Sequence, residues 1–194
     1  ASALTILAFI FTLLLFQNSF SQFNWSPAGP IFSAGRARNL IVDKTDPTGN
    51  TLYIGSSTSG IFITTDGGVS WRPLDDQGNV RNISYLAQDK DGVIWAATGE
   101  GFLSYSQKLK TQKGRGLYKL VNNSLQRVQD SLAVGLVINK LACSPVDAKV
   151  FALASNKGIL ISKDGAVNFL QAAGIPSTID VSYGLDVKFD GNGI

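Results

Sequence analysis

The chain has 194 residues, with 17 basic and 14 acidic side chains, one Cys, and no His or Met. That length suits one domain, or two small ones. The absence of His excludes Ser-His-Asp and Cys-His catalysis and His-based metal centres from this stretch, and the nearly balanced charge offers no broad basic face for nucleic acid.

Residues 1–16 are almost entirely apolar and carry no charge, and Ser19 and Ser21 stand three and one places before a cut ahead of Gln22. Residues 1–21 therefore read as a secretory signal peptide whose start is missing. A transmembrane anchor is the competing reading, but the apolar run falls short of the roughly 20 residues a span needs. After removal of the signal no membrane span is expected. An exported chain without a disulfide fits a secreted protein or the outer surface of a bacterial envelope. Residues 22–35 form a lead-in segment, and 36–194 hold the folded repeats.

In the first repeat, strands are expected at 39–43, 51–55, 60–64 and 70–74, where apolar and β-branched residues alternate between Gly, Asp, Asn and Pro. Leu52-Tyr53-Ile54-Gly55 returns as Ile94-Trp95-Ala96-Ala97 and Val150-Phe151-Ala152-Leu153. Gly60-Ile61-Phe62 returns as Gly116-Leu117-Tyr118 and Gly158-Ile159-Leu160. The first set is spaced by 42 and 56 residues and the second by 56 and 42. A single 14-residue insertion, covering most of 100–113, therefore interrupts a 42-residue period. Residues 185–189 match the opening strand again, and Asp190-Gly191-Asn192-Gly193 reaches the place of Asp91-Gly92. A helix over 117–134 is disfavoured by Asn122-Asn123. Cys143, in an apolar strand, reads as a buried inert thiol.

Short strands at a period near 42 are the signature of propeller blades. The predicted fold is all-β: four-stranded antiparallel blades, about three of them plus the first strand of a fourth. That makes the chain a fragment of a six- to eight-bladed ring. An open β-sandwich would account for the strands but not for the period.

Thr64-Thr65-Asp66-Gly67-Gly68-Val69-Ser70-Trp71 returns, weaker, as Ser162-Lys163-Asp164-Gly165-Ala166-Val167-Asn168-Phe169. Asp66 and Asp164 can accept backbone N–H bonds and lock a turn. Gly68 permits a backbone that a side chain would block. Trp71 lays an apolar face on the blade. An acid repeated in one structural register is scaffold, because a catalytic acid needs one unique place. The pattern of Thr64, Asp66, Gly68, Ser70 and Trp71 resembles the Asp-box, or BNR repeat, of sialidases, xyloglucanase-type glycoside hydrolases, sortilin-like receptors and photosystem assembly factors. Ser162, Asp164 and Phe169 mark a degenerate copy, and in the middle unit Val121-Asn122-Asn123-Ser124 has lost the Asp. The resemblance implies that the box sits between the third and fourth strands of a blade, away from any active site. Ser21-Gln22, Gly35-Arg36-Ala37-Arg38 and Thr98-Gly99-Glu100-Gly101 also resemble segments of large exported propeller proteins of Bacteroidetes-type bacteria. That likeness implies type IX secretion.

No Gly-rich phosphate loop precedes a Lys-Ser/Thr pair, and no cofactor or metal is expected. A glycosidase would need two carboxylates across a sugar site. Asp43, Glu100 and Asp130 are the candidates outside the boxes, and Glu100, the only Glu, opens the insertion. Arg36 and Arg38, with Glu100, form a candidate ligand-binding rim. The two arginines suit either an anionic glycan or pairing with nearby acids. The expected function is a non-catalytic, exported propeller module for binding, adhesion or scaffolding, with a glycan or surface protein as partner. The alternative is the N-terminal part of a glycoside hydrolase acting on polysaccharide.

Overall fold

The computed structural model describes residues 35–74, 80–100, 113–128, 135–174 and 184–193. The signal peptide, the lead-in up to residue 34 and residues 101–112 of the insertion lie outside them. The described residues carry three four-stranded antiparallel sheets. The first contains β1 (Ala37–Val42), β2 (Leu52–Ser56), β3 (Gly60–Thr64) and β4 (Arg72–Pro73) in that order. The second contains β5 (Ile83–Gln88), β6 (Ile94–Thr98), β7 (Leu117–Val121) and β8 (Ser124–Arg127). The third contains β9 (Ile138–Cys143), β10 (Phe151–Ser155), β11 (Gly158–Ser162) and β12 (Leu170–Gln171). These are three up-and-down propeller blades.

Each blade is apolar on the face it turns to its neighbour. Tyr53, Ile61 and Ile63 of the first blade pack with Ile83, Leu86 and Ile94 of the second. Trp95, Ala97 and Leu117 of the second pack with Ile138, Phe151 and Leu153 of the third. β6 of the second blade and β10 of the third are buried along their whole length, whereas β1 shows three exposed residues. Trp95 and Phe151 meet with ring centroids 4.6 Å apart and planes tilted by 59°. The first strands lie side by side, β1 on β5 and β5 on β9. Asn39 joins the first two: its amide nitrogen donates to Leu86 O at 2.8 Å, and its oxygen accepts from Leu86 N–H at 2.9 Å. One side chain thus replaces a peptide ladder across the blade boundary.

The 42-residue period holds for the second strands, Ser56 to Thr98, but Ala37 to Ile83 is 46 residues. The reason is turn length. The first turn closes Asp43 N–H on Thr51 O, and the second closes Asp89 N–H on Val93 O. β4 is shorter than the expected 70–74 because Ser70 and Trp71 are drawn into the preceding turn. Asn122 and Asn123 hold φ of 50° and 61°, the double left-handed setting of a two-residue hairpin, so the chain turns back at once and has no room for a box. The expected fourth opening strand, 185–189, has no ladder partner among the described residues. Its start nevertheless docks on the third blade, where Gly184 N–H donates to Ser155 O and Asn139 Nδ2 donates to Gly184 O. Asp190 caps its own turn through Asn192 N–H and Gly193 N–H, as Asp89 does through Asp91 and Gly92. It therefore corresponds to Asp89, two places from the match read in the sequence.

Phe151 is fully buried between blades. Phe151→Ala should cost about 3–5 kcal/mol of stability, and Phe151→Leu much less. Denaturant unfolding of the two variants beside the parent measures the difference.

Candidate functional site

The two turns built from the repeated Asp-containing string lie at one end of the blades. Asp66 accepts from Ser70 N–H at 2.9 Å, Ser70 Oγ at 2.5 Å and Thr64 Oγ1 at 2.6 Å. Thr64 Oγ1 accepts from Gly68 N–H at 3.0 Å, and the Trp71 indole donates to Gly68 O at 3.2 Å. In the second copy Asp164 accepts from Asn168 N–H at 2.9 Å, Asn168 Nδ2 at 2.8 Å and Ser162 Oγ at 2.8 Å. Asn168 thus replaces a Ser hydroxyl with an amide donor. Ala166, where the first copy has Gly68, holds φ of 68° and is fully buried. Phe169 packs at the margin of the second interblade cluster. Each box is tied to the turn beside it, Gly67 N–H to Asn50 O and Gly165 N–H to Lys149 O. The Ser70 hydroxyl and N–H and the Thr64 hydroxyl hold the Asp66 carboxyl well below its ordinary range. The Asn168 N–H and amide and the Ser162 hydroxyl bring Asp164 to about 2.

An acid the sequence reading passed over is more deeply placed. Asp89, 4 % exposed, accepts from Asp91 N–H at 3.0 Å, Val93 N–H at 2.8 Å and the Trp95 indole at 2.8 Å. Asp43, Ser144 and Asp190 hold the corresponding turns. The unequal turn lengths hide this second repeated cap from a fixed-period alignment.

The opposite end carries the insertion. Arg36, just before β1, forms an ion pair with Glu100, just beyond β6. Two of the three rim candidates are therefore brought together across a blade boundary, and each neutralises the other. The roots of the insertion are held tightly. Thr98 Oγ1 donates to Gly116 O at 2.6 Å and accepts from Arg115 N–H at 2.8 Å. A Cβ on Gly114 would stand 1.8 Å from Leu136 O, so only Gly fits against the lead into the third blade. Cys143 lies near the other end of the inner strands, its thiol pushed up to about 12 by burial.

Between the two ends the inner strands line an open cleft. Arg38, the third rim candidate, lies on its wall with Tyr85, Lys140 and Asp186, in a hollow of ≈ 450 Å³. A second hollow of ≈ 550 Å³ continues along Ile41, Ala87 and Ala142 to Val187 and Phe189. Lys140 forms an ion pair with Asp186, which raises the lysine's pKa and lowers the acid's. Its ammonium also stands 5.8 Å from the Tyr85 ring centroid, within cation–π range. Burial, and then the neighbouring Arg36 charge, lower the pKa of Arg38.

The ladders reveal why Arg38 stands there. β1 skips from Ala37 to Asn39, β5 from Ile83 to Tyr85, and β9 from Ile138 to Lys140 when paired with their second strands. Arg38, Ser84 and Asn139 are thus bulged residues at one register in three blades, and all three line the same hollow. A bulge releases a residue from the ladder and re-aims its side chain. Only the register shows this, so Ser84, Tyr85, Asn139, Lys140 and Asp186 escaped the sequence reading.

No family model and no curated protein matches the chain. Solved structures do. The chain is similar to a GH74 enzyme from Niastella koreensis, with TM-score 0.60 and 16% identity over 76% of this chain and 24% of that one. It is similar to an ancestral GH74 enzyme, with TM-score 0.61 and 21% identity over 81% and 21%. The GH74 xyloglucanase from Xanthomonas campestris gives 0.53 and 18% over 71% and 21%. The chain thus spans about a quarter or less of the length of these enzymes. At such identities the likeness is one of fold, and the fold is the β-propeller.

Because the Asp66 and Asp164 carboxyls titrate lower folded than unfolded, their stabilisation is complete above the unfolded value, about 3.9. It is lost as pH falls through the lower folded values. Stability should hold above about pH 5 and drop towards pH 2, with a shallower drop in Asp66→Asn; thermal unfolding across that range tests it. Gly68, at φ 97°, is held where a side chain strains the backbone. Gly68→Ala should cost roughly 1–3 kcal/mol, read by denaturant unfolding.

Proposed function

We propose that the chain is an exported, non-catalytic β-propeller module that binds a glycan in the cleft along its inner strands. The observation that carries this reading is the cleft wall itself. It joins an aromatic face, Tyr85, to the cations Arg38 and Lys140 and to the bulged residues Ser84 and Asn139. Aromatic surface beside a few placed polar groups is the make-up of a small-ligand site. The nearby carboxylates, Glu100 and Asp186, are engaged by Arg36 and Lys140, whereas a glycosidase needs one acid free to protonate the leaving oxygen and a second to act as nucleophile or base. The export half of the reading rests on residues 1–21 of the sequence.

A second reading is the N-terminal part of a glycoside hydrolase acting on polysaccharide. It is favoured by the likeness to GH74 enzymes, one of them a xyloglucanase. Retention of the full-length protein on immobilised polysaccharides, with release of reducing ends assayed in parallel, separates the two. Binding without release is expected, and Tyr85→Ala should weaken retention at least about fivefold. Release that disappears in Asp186→Asn or Glu100→Gln would overturn the non-catalytic reading.

A further inference from the structure

The lead-in repeats the sequence of a strand found in the first blade. Trp25 and Pro27 stand 46 residues before Trp71 and Pro73, and 46 is also the distance from the opening of β1 at Ala37 to that of β5 at Ile83. The same offset carries Asn24 onto Ser70, Leu40 onto Leu86 and Asp43 onto Asp89. Residues 24–28 thus match 70–74, the stretch that holds β4 and leads from the first blade to the second. There Arg72 pairs with Ile63 and Pro73 with Phe62, and Leu74 N–H donates to Ile61 O at 2.9 Å. Pro suits an outermost strand, whose free edge needs no N–H. Asn24 has its own parallel: Asn168, at the place of Ser70 in the third blade, donates from Nδ2 to Asp164 at 2.8 Å.

Each described blade already has its fourth strand, β4, β8 or β12, so a further strand of this kind belongs to another blade. The first blade shows where that blade sits. Tyr53, Ile61 and Ile63, which face the second blade, are buried, whereas Leu52, Ile54 and Phe62 on the opposite face are only half-buried. On β1, Leu40 is 50 % exposed and Val42 is exposed beside it, while Leu86, the counterpart of Leu40 on β5, is 0 % exposed. Leu86 is covered by the blade before it, through Tyr53, Ile61, Ile63 and Leu74. A contiguous apolar face of this kind marks a contact surface, and the repeat says what kind of element covers it. We infer that residues 24–28 form the outermost strand of a blade that packs on the open face of the first blade and closes the ring there. The three inner strands of that blade come from another part of the full-length chain. One edge ladder then joins two distant stretches of sequence, with Trp25 in the place of Trp71 and Ala28 in the place of Leu74. This inference is independent of what the cleft binds.

The test uses the full-length protein after removal of the signal peptide. Hydrogen exchange at the amides of Ser26 and Ala28 should be slower by about a hundredfold or more than in a free peptide of residues 22–34. Trp25→Ala should lose that protection and lower the melting temperature. Trp25→Phe should keep most of both, since Phe169 fills this place in the third blade. Exchange of Ser26 and Ala28 at the rate of the free peptide would overturn the inference, as would a Trp25→Ala protein that melts with the parent. Protection found only in a dimer would also overturn it, because the strand would then be lent to a second copy.

Discussion

A four-stranded sheet with apolar residues on both faces has to be covered on both faces, and in this protein the cover is another blade. Tyr53, Ile61 and Ile63 are buried by Ile83, Leu86 and Ile94, and Trp95 and Leu117 by Phe151 and Leu153. Everything else follows from that packing. It brings the first strands side by side and sends turns of two kinds to opposite ends. It also leaves the cleft side as the place where polar side chains collect.

The division of labour between the ends has a physical basis. The boxes are self-contained hydrogen-bond cages in which a carboxylate satisfies local N–H and O–H groups. A carboxylate so engaged holds its own turn together. At the other end Arg36 meets Glu100 across a blade boundary, and between the ends Lys140 of β9 meets Asp186. These contacts join residues far apart in the chain. They are the kind of arrangement that a local motif cannot encode.

Much of the fold was legible because blades repeat. The strand positions of β2, β3, β6, β10 and β11 followed from a hydrophobic run and a Gly at fixed spacing. The turn around Asp66 was legible because its hydrogen bonds close within eight residues. The cleft was only partly legible: Arg38 drew attention as a charge, but Ser84 and Asn139 are ordinary small polar residues in ordinary strands. Their significance comes from a one-residue slip between neighbouring strands, repeated three times.

By itself, then, the sequence determined the all-β architecture, the blade repeat, the turns around Asp66 and Asp164, and the place of the insertion. These depend on local periodicity and turn chemistry, which are written in adjacent residues. Only the tertiary structure decided that Arg36 and Glu100 are partners, that Asp190 aligns with Asp89, and that Arg38, Ser84 and Asn139 share one wall. Those facts depend on strand register and on the packing of one blade against the next. Register is set by pairing between neighbouring strands, such as Ala37 with Ser56, and blade packing by contacts between distant residues, such as Asn39 with Leu86.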